Sequence, residues 1–464
     1  MNFKNNLFGI AAMALCLGLA SCSDDDELQY SQAQVTNSEL KTILEQNGLH
    51  FDDQGHLLLD EAANNLKALD LSGKKISDYK ELKVLPNLVE LNLSNNEFGP
   101  TFDFSIPPAQ ITAVDLTGNE IYDFPGLVNI ETDEFGNETA TVLRKLTKLY
   151  LPEMAKYNCN EIVAFYQNAS SADIQMEDAS GNLAKYTTLR EVPDEKWRSI
   201  LHNLFGSMFE GEYINIAKRL VIPKECQQNL TTIDVKNRTM TVGNIEGFQY
   251  IANNKGYKGT MLQMYTDDKC EISYFPIPAS TFALQLDNVS TPNNFDTRNI
   301  KNLCYVDIEH NDGVEVFDFS KSTTFGQRGD DGGGAPEFID YFLLCRSNNL
   351  KEIHFPDQAK HASEIRMIDC PKLEKVNLQH FETINNLRLA LLPSESEIVY
   401  PELKRLNSNG WRCLFAIDEG MYNKQATKDF IQEYYVEKDL IQGGMIPYEY
   451  EGAKEYKWQK NYNK

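Results

Sequence analysis

The 464-residue chain predicts an α/β fold, a solenoid whose short strands stack into one parallel concave sheet, capped at both ends around an irregular middle. Three observations predict it. One spacing of aliphatic residues recurs along the chain: Leu66, Leu69 and Leu71; Leu88, Leu91 and Leu93; Ile111, Val114 and Leu116; Leu146, Leu149 and Leu151. Successive copies start 22, 23 and 35 residues apart, too short a unit to bury its own apolar side unless copies stack. Both ends carry non-repeating helix and hairpin signals, as solenoid termini require.

Taken in order, the chain opens with one positive charge, Lys4, and an apolar, uncharged stretch over 7–19 that is too short for a permanent membrane span. It closes on Leu19, Ala20, Ser21 and Cys22, followed by Ser23, Asp24, Asp25, Asp26 and Glu27. A small residue before such a cysteine resembles the processing site of bacterial lipoproteins. The resemblance implies a signal peptide over 1–21, cleavage before Cys22, and acylation of its thiol and new amino group. Two or three acyl chains, at about 0.8 kcal/mol per buried CH2, make an anchor that hardly dissociates. The serine and acids at 23–27 resemble the surface-export signal of Bacteroidota lipoproteins, which implies an outer-membrane protein facing the cell exterior. The plain alternative is a solvated charged linker. Residues 22–35 are then an acidic tether.

An N-terminal cap is expected over 36–60. Thr36 and Glu39 have capping-box spacing for a helix through Ile43 and Leu44, ended by Asn47 and Gly48. Leu49–Phe51 and Leu57–Leu59 flank a turn at 52–55 and read as a hairpin.

Regular repeats fill 61–154. Three residues past each last leucine stand Lys74, Asn96, Asn119 and Met154, with Ile76, Phe98 and Ile121 two positions further on in the first three. The polar run 131–138 reads as a hairpin inserted into the long third interval. The pattern LxxLxLxxNxL is that of the leucine-rich repeat, and the chain resembles that family. The resemblance implies that the asparagine is buried and bonds backbone groups of adjacent turns, with Lys74 and Met154 marking looser copies.

Residues 155–300 are expected to be degenerate repeats or a small α+β insertion. Ile233 and Val235, and Leu284 and Leu286, are weak copies, while Pro193 and apolar Trp197, Ile200, Leu201, Leu204 and Phe205 predict a helix closed by Gly206. Clearer copies return over 301–420: Leu303, Val306 and Ile308; Leu350, Ile353 and Phe355; Leu373, Val376 and Leu378. The order Cys370, Pro371, Lys372, Leu373 resembles the BspA-type subclass of bacterial surface repeats. A glycine-rich loop over 326–336 contains Arg328, Gly329 and Asp330, a tripeptide that matches an integrin-recognition sequence and reads here as an insertion. A cap and polar, tyrosine-rich tail over 421–464 complete the chain, with a covering helix from Lys428 to Tyr435.

Composition bounds the function. With 42% hydrophobic residues the chain can bury a core, and its formal net charge of −24 argues against nucleic acid and against adhesion to anionic membranes other than through the lipid. The cysteines beyond Cys22 show no CxxC spacing and read as core (Cys159, Cys226, Cys270, Cys304, Cys345, Cys370, Cys413). No metalloprotease, nucleophile-elbow, phosphate-loop or calcium-loop pattern is present, so no metal and no cofactor is expected beyond the covalent lipid on Cys22, and no catalytic residue is assigned. What repeats offer is a face. The expected concave strip comprises Asp70, Glu90, Asn92, Asp115, Lys148, Tyr150, Tyr305, Asp307, His354 and Asn377, suited to a protein or glycan ligand. The expected function is non-catalytic binding of a protein partner. The alternatives are a glycan-binding accessory to a polysaccharide-capture system and an enzyme housed in 155–300.

Overall fold

The computed structural model describes residues 28–76, 78–134, 138–220, 231–235, 242–254, 260–275, 277, 280–292, 297, 300–327, 339–404, 414–437, 445–450 and 453–459. Cys22, the acidic run 23–27 and Arg328–Asp330 lie outside these residues, as do Cys226 and Cys413. The chain forms two compact units, Met1–Leu69 with Asp78–Leu91 and Ile106–Ile111, and Asp70–Ser77 with Asn92–Ser105 and Thr112–Lys464.

The first unit holds strand β1 (Tyr30–Gln34), helix α1 (Ser38–Gln46), strand β2 (His56–Leu58) and helix α2 (Glu61–Asn65). α1 forms where expected, because Leu40, Ile43 and Leu44 fall on one buried face, and it ends at Asn47 before Gly48 at φ +84°. Its cap is Asn37, not Thr36: the Asn37 side chain accepts from the N–H groups of Glu39 and Leu40, each at 3.0 Å. Thr36 is committed elsewhere, its N–H donating to Glu81 Oε2 at 3.0 Å. β2 pairs antiparallel with β1, which lies inside the stretch read as tether, and the Leu49–Phe51 arm contributes only a bridge from Phe51 to Leu57. The turn is as expected, since Asp52 Oδ1 accepts from Gln54 N at 2.9 Å and His56 N at 2.8 Å.

The repeats supply strands β3 (Ala68–Asp70), β4 (Glu90–Asn92) and β5 (Ala113–Asp115), then a hairpin of β6 (Val128–Thr132) and β7 (Glu138–Val142), then β8 (Lys148–Leu151). Helix α3 (Glu161–Asn168), β9 (Asp173–Glu177) and β10 (Leu183–Lys185) follow. One six-stranded sheet runs in the order β10-β9-β8-β5-β4-β3, and the inserted hairpin leaves β5 and β8 adjacent and parallel. Leu69, Leu91, Val114 and Leu149 are buried on its inner face, as alternation requires. In the middle region follow β11 (Leu189–Arg190), helix α4 (Glu195–Phe205), β12 (Phe209–Glu210) and β13 (Tyr213–Asn215). Their three-stranded sheet accompanies α4, capped by Asp194 and burying Trp197, Leu201 and Phe205.

From β14 (Thr231–Val235) onward the chain builds two sheets. After α5 (Phe248–Ala252) come β15 (Thr260–Glu271), β16 (Thr281–Ser290), β17 (Tyr305–Glu309), β18 (Val316–Asp318), β19 (Tyr341–Cys345), β20 (Glu352–His354) and β21 (His361–Ile368). Next are β22 (Lys375–Asn377), β23 (Thr383–Ala390), β24 (Glu397–Val399), β25 (Leu414–Asp418), helices α6 (Glu419–Tyr422) and α7 (Gln425–Ile431), β26 (Met445–Tyr450) and β27 (Ala453–Gln459). A ten-stranded sheet takes the order β14-β15-β16-β17-β19-β21-β23-β25-β27-β26, parallel through β25; a four-stranded parallel sheet takes β18-β20-β22-β24. The large sheet therefore begins well inside the segment read as irregular. The residues read as a tail fold into the antiparallel pair β26 and β27, with β27 against β25.

Rings from both sheets fill the space between them: Phe317 of β18 and Phe342 of β19 have centroids 5.8 Å apart, and Phe319 stacks on Phe342 at 5.2 Å. Each such ring contributes about 2–3 kcal/mol by leaving water. Cys159, Cys270, Cys304, Cys345 and Cys370 are buried free thiols, as expected for small apolar residues.

Candidate functional site

The expected binding strip does not form one row. Its members stand on three sheets: Asp70, Glu90, Asn92, Asp115, Lys148 and Tyr150 on the six-stranded one, Tyr305 and Asp307 on the ten-stranded one, His354 and Asn377 on the four-stranded one. The sequence spacing of a strand gives its buried face but not the sheet it joins.

Four of the ten are occupied by local structure. Asp70, Asn92 and Asp115 each turn an Oδ1 back to the N–H two residues on, reaching Ser72, Ser94 and Thr117 at 2.9, 2.9 and 3.0 Å. Asn377 does the same to Gln379 N at 3.1 Å. These are Asx turns that end the strand, and they explain the recurrence of Asp and Asn there. The Ser72 N–H holds the Asp70 carboxyl below its usual range. His354 pairs with Glu352 at 3.0 Å, and Glu90 stands exposed.

Two clusters remain. On the six-stranded sheet, β5, β8 and β9 bring Asp115, Tyr150 and Gln175 into register. The Lys148 ammonium lies 4.2 Å from the centre of the Tyr150 ring, whose hydroxyl donates to Asp173 Oδ2 at 3.3 Å. Gln175 Nε2 donates to the same oxygen at 3.0 Å.

The larger cluster lies on the outer face of the ten-stranded sheet. Register aligns Gln263, Gln285, Asp307, Leu343, Arg366 and Arg388 across β15, β16, β17, β19, β21 and β23. A parallel row aligns Tyr305, Tyr341, Glu364 and Asn386. Gln263 donates to Gln285, and Gln285 Nε2 donates to Asp307 Oδ2 at 2.9 Å. Tyr305 and Tyr341 stack at 4.6 Å with planes 12° apart, and Arg366 pairs with Glu364. Burial pushes the Asp307 carboxyl above its usual range, while the Gln285 amide and the Arg366 charge pull it part of the way back. Burial likewise raises Glu309 one position along β17 on the same face, with the Asp307 and Asp287 charges adding to it. Burial also raises the Tyr305 and Tyr341 hydroxyls.

Of this cluster the strand spacing in the sequence marks Gln285, Tyr305, Asp307 and Glu309 as outward-facing. It missed Arg366 and Arg388, although each alternates with aliphatic neighbours (Ile365 and Met367, Leu387 and Leu389), which marks a strand with one charged face. The neutral amides accept and donate, the acids and arginines fix charge, and Leu343 adds an apolar step between them. Such a face can hold a polar partner laid across the strands.

Among the described residues no group of three or more His, Cys, Asp or Glu side chains is placed to hold a metal ion. Nor, among them, is any helix long and apolar enough to cross a membrane. No known protein-family model matches the chain, and no curated protein matches it. What the geometry defines is a mixed α/β protein with several parallel sheets and no closed barrel.

Proposed function

We propose that the protein is a leucine-rich-repeat solenoid of the lipid-anchored, outward-facing kind, and that it binds a protein partner without catalysis. The repeat reading is supported by the asparagines at the expected position. Asn119 Nδ2 donates to the carbonyls of Leu93, Leu116 and Thr117 at 3.0, 2.9 and 3.1 Å, and its Oδ1 accepts from Asn96 N and Phe98 N at 3.1 and 2.9 Å. Asn96 clamps Leu71, Leu93 and Ser94 in the same way. Anchoring rests on Cys22 and the acids at 23–27, and outer-membrane exposure rests on the same residues.

The observation that carries the binding reading is the half-buried row from Gln263 to Arg388, a set of side chains aligned by register and not spent on closing turns. A protein is favoured over a glycan because the aromatic faces are partly covered. Lys148 sits over Tyr150, and Tyr305 and Tyr341 stack on each other, whereas sugar stacking needs an open ring face. Arginine and tyrosine with a central apolar step are also the residue types that dominate protein interfaces.

The test is capture of partners by the soluble chain from residue 23, set beside an array of glycans. A protein should be retained, and Arg366→Glu should weaken it at least about tenfold, since reversing a charge in a half-buried row costs more than 1.4 kcal/mol. Asp70→Ala should leave binding intact. Retention of glycans alone, or hydrolysis of a substrate without any partner, overturns the reading. Independently, Cys22→Ala should move the full-length protein out of the membrane fraction.

A further inference from the structure

A cleft of about 750 Å³ opens beside helix α3, between the β6–β7 hairpin and the segment Ile216–Arg219. That volume lies within the range of small-ligand sites, about 300–1,000 Å³. Its walls differ sharply in chemistry. The floor is small and aliphatic, with Val163 and Ile216 buried at 6% and 2% exposure. Among the described residues no aromatic ring lines it.

The rim is polar. Asn160, the residue before α3, and Gln167 on α3 stand seven positions apart, about 10 Å along a helix axis, and both line the cleft. Thr132 and Thr139 face it from the hairpin. Among the described residues the side chains of these four make no hydrogen bond, and the exposed guanidinium of Arg219 makes no ion pair. The loop that carries Arg219 is held in place by Asn254, which also lines the cleft: its Nδ2 donates to Lys218 O at 3.1 Å, and its Oδ1 accepts from Leu220 N at 3.3 Å. Arg219 is thus a cation that no described carboxylate pairs with, on a chain whose acids outnumber its bases 68 to 44.

We infer that this cleft binds a small saccharide carrying one carboxylate. Ring C–H groups lie on the aliphatic floor, hydroxyls exchange hydrogen bonds with Asn160, Gln167 and the two threonines, and the carboxylate pairs with Arg219. Amides and hydroxyls both donate and accept, which suits a ligand whose hydroxyls do likewise. The Arg219 guanidinium offers a forked pair of donors to a carboxylate. Glu138 on the hairpin also lines the cleft, and its charge disfavours a ligand with a second acid group. A peptide is disfavoured because the floor is small and aliphatic. The site shares no residue with the outer face of the ten-stranded sheet, so its failure and the failure of that face are separate results.

The experiment is a titration of the soluble chain with galacturonate, galactose and a short peptide with a free C-terminus, followed by calorimetry or ligand-observed magnetic resonance. Galacturonate should bind, and galactose should bind at least about tenfold more weakly, the worth of a charge-assisted pair. Arg219→Gln should erase that preference while leaving the circular dichroism spectrum unchanged, and Arg219→Lys should restore part of it. Gln167→Ala should weaken both sugars together. Equal binding of the two sugars, tighter binding of the peptide, or no binding of galacturonate overturns the assignment, as does an Arg219→Gln variant that retains the preference.

Discussion

The turns around Asn96 and Asn119 and the segments between the ten- and four-stranded sheets solve one problem in two ways. Chain leaving a buried strand carries backbone carbonyls that must find donors. In the first region the strands are short, and one buried amide per turn supplies those donors; Asn119 alone makes three such bonds and accepts two more. In the second, the return leg forms its own parallel sheet, β18-β20-β22-β24, so that backbone satisfies backbone. Side chains assist there too: buried Asn311 donates to Thr291 Oγ1 at 3.1 Å and accepts from Gly313 N at 2.9 Å, Ser322 Oγ donates to Leu303 O at 2.6 Å, and the Cys304 thiol reaches Phe282 O at 3.3 Å. Phenylalanine rings take up the space.

This contrast can be broken by substitution. The largest effect is expected from Asn119→Ala, which strands several buried backbone groups at about 1–3 kcal/mol each, for a loss of about 4 kcal/mol or more in a urea titration. A loss under about 1 kcal/mol would mean that water or another side chain serves those groups. Next is Phe319→Ala, which empties the contact with Phe317, Phe325, Phe342 and Phe355 and should cost about 3–4 kcal/mol. An equal loss for a serine-to-alanine change at Ser322 would contradict the division of labour between amide and ring.

The smallest effect concerns pH. Asp307 is raised in the folded protein, so the folded state holds its proton where the unfolded chain has already released it. Its ordinary value is 3.8, and stability therefore declines as pH climbs from there through the raised folded value. Asp307→Asn should flatten that decline and leave the protein at least as stable at neutral pH, since Asn Oδ1 can still accept from Gln285. A steeper decline in the variant would show that the carboxylate is stabilised rather than strained on its sheet.

The sequence carried the inner face of the sheets well, because period-two alternation alone marks Leu69, Leu91, Val114 and Leu149 as buried. It also carried the inserted hairpin and α4, whose turn and helix signals are local. It carried the outer face poorly. Asx-turn residues such as Asp115 have the same polar character as ligand-binding ones, and only the bond to Thr117 separates them. Assignment of His354 and Asp307 to different sheets depends on long-range pairing that period-two alternation does not encode. β15 escaped because Met261, Leu262 and Met264 break the aliphatic spelling, and Tyr448, Tyr456 and Trp458 read as tail because an antiparallel closing pair has no repeat to announce it.

The hairpin of β6 and β7 leaves the fold between two strands that stay side by side, with Ala113 still opposite Lys148 and Asp115 opposite Tyr150. Length added at that point is invisible to the framework. Evolution is thus at liberty to rewrite what hangs there without changing the strand order, and a protein engineer could graft a reporter or an epitope onto the same spot at the cost of the cleft that the hairpin walls.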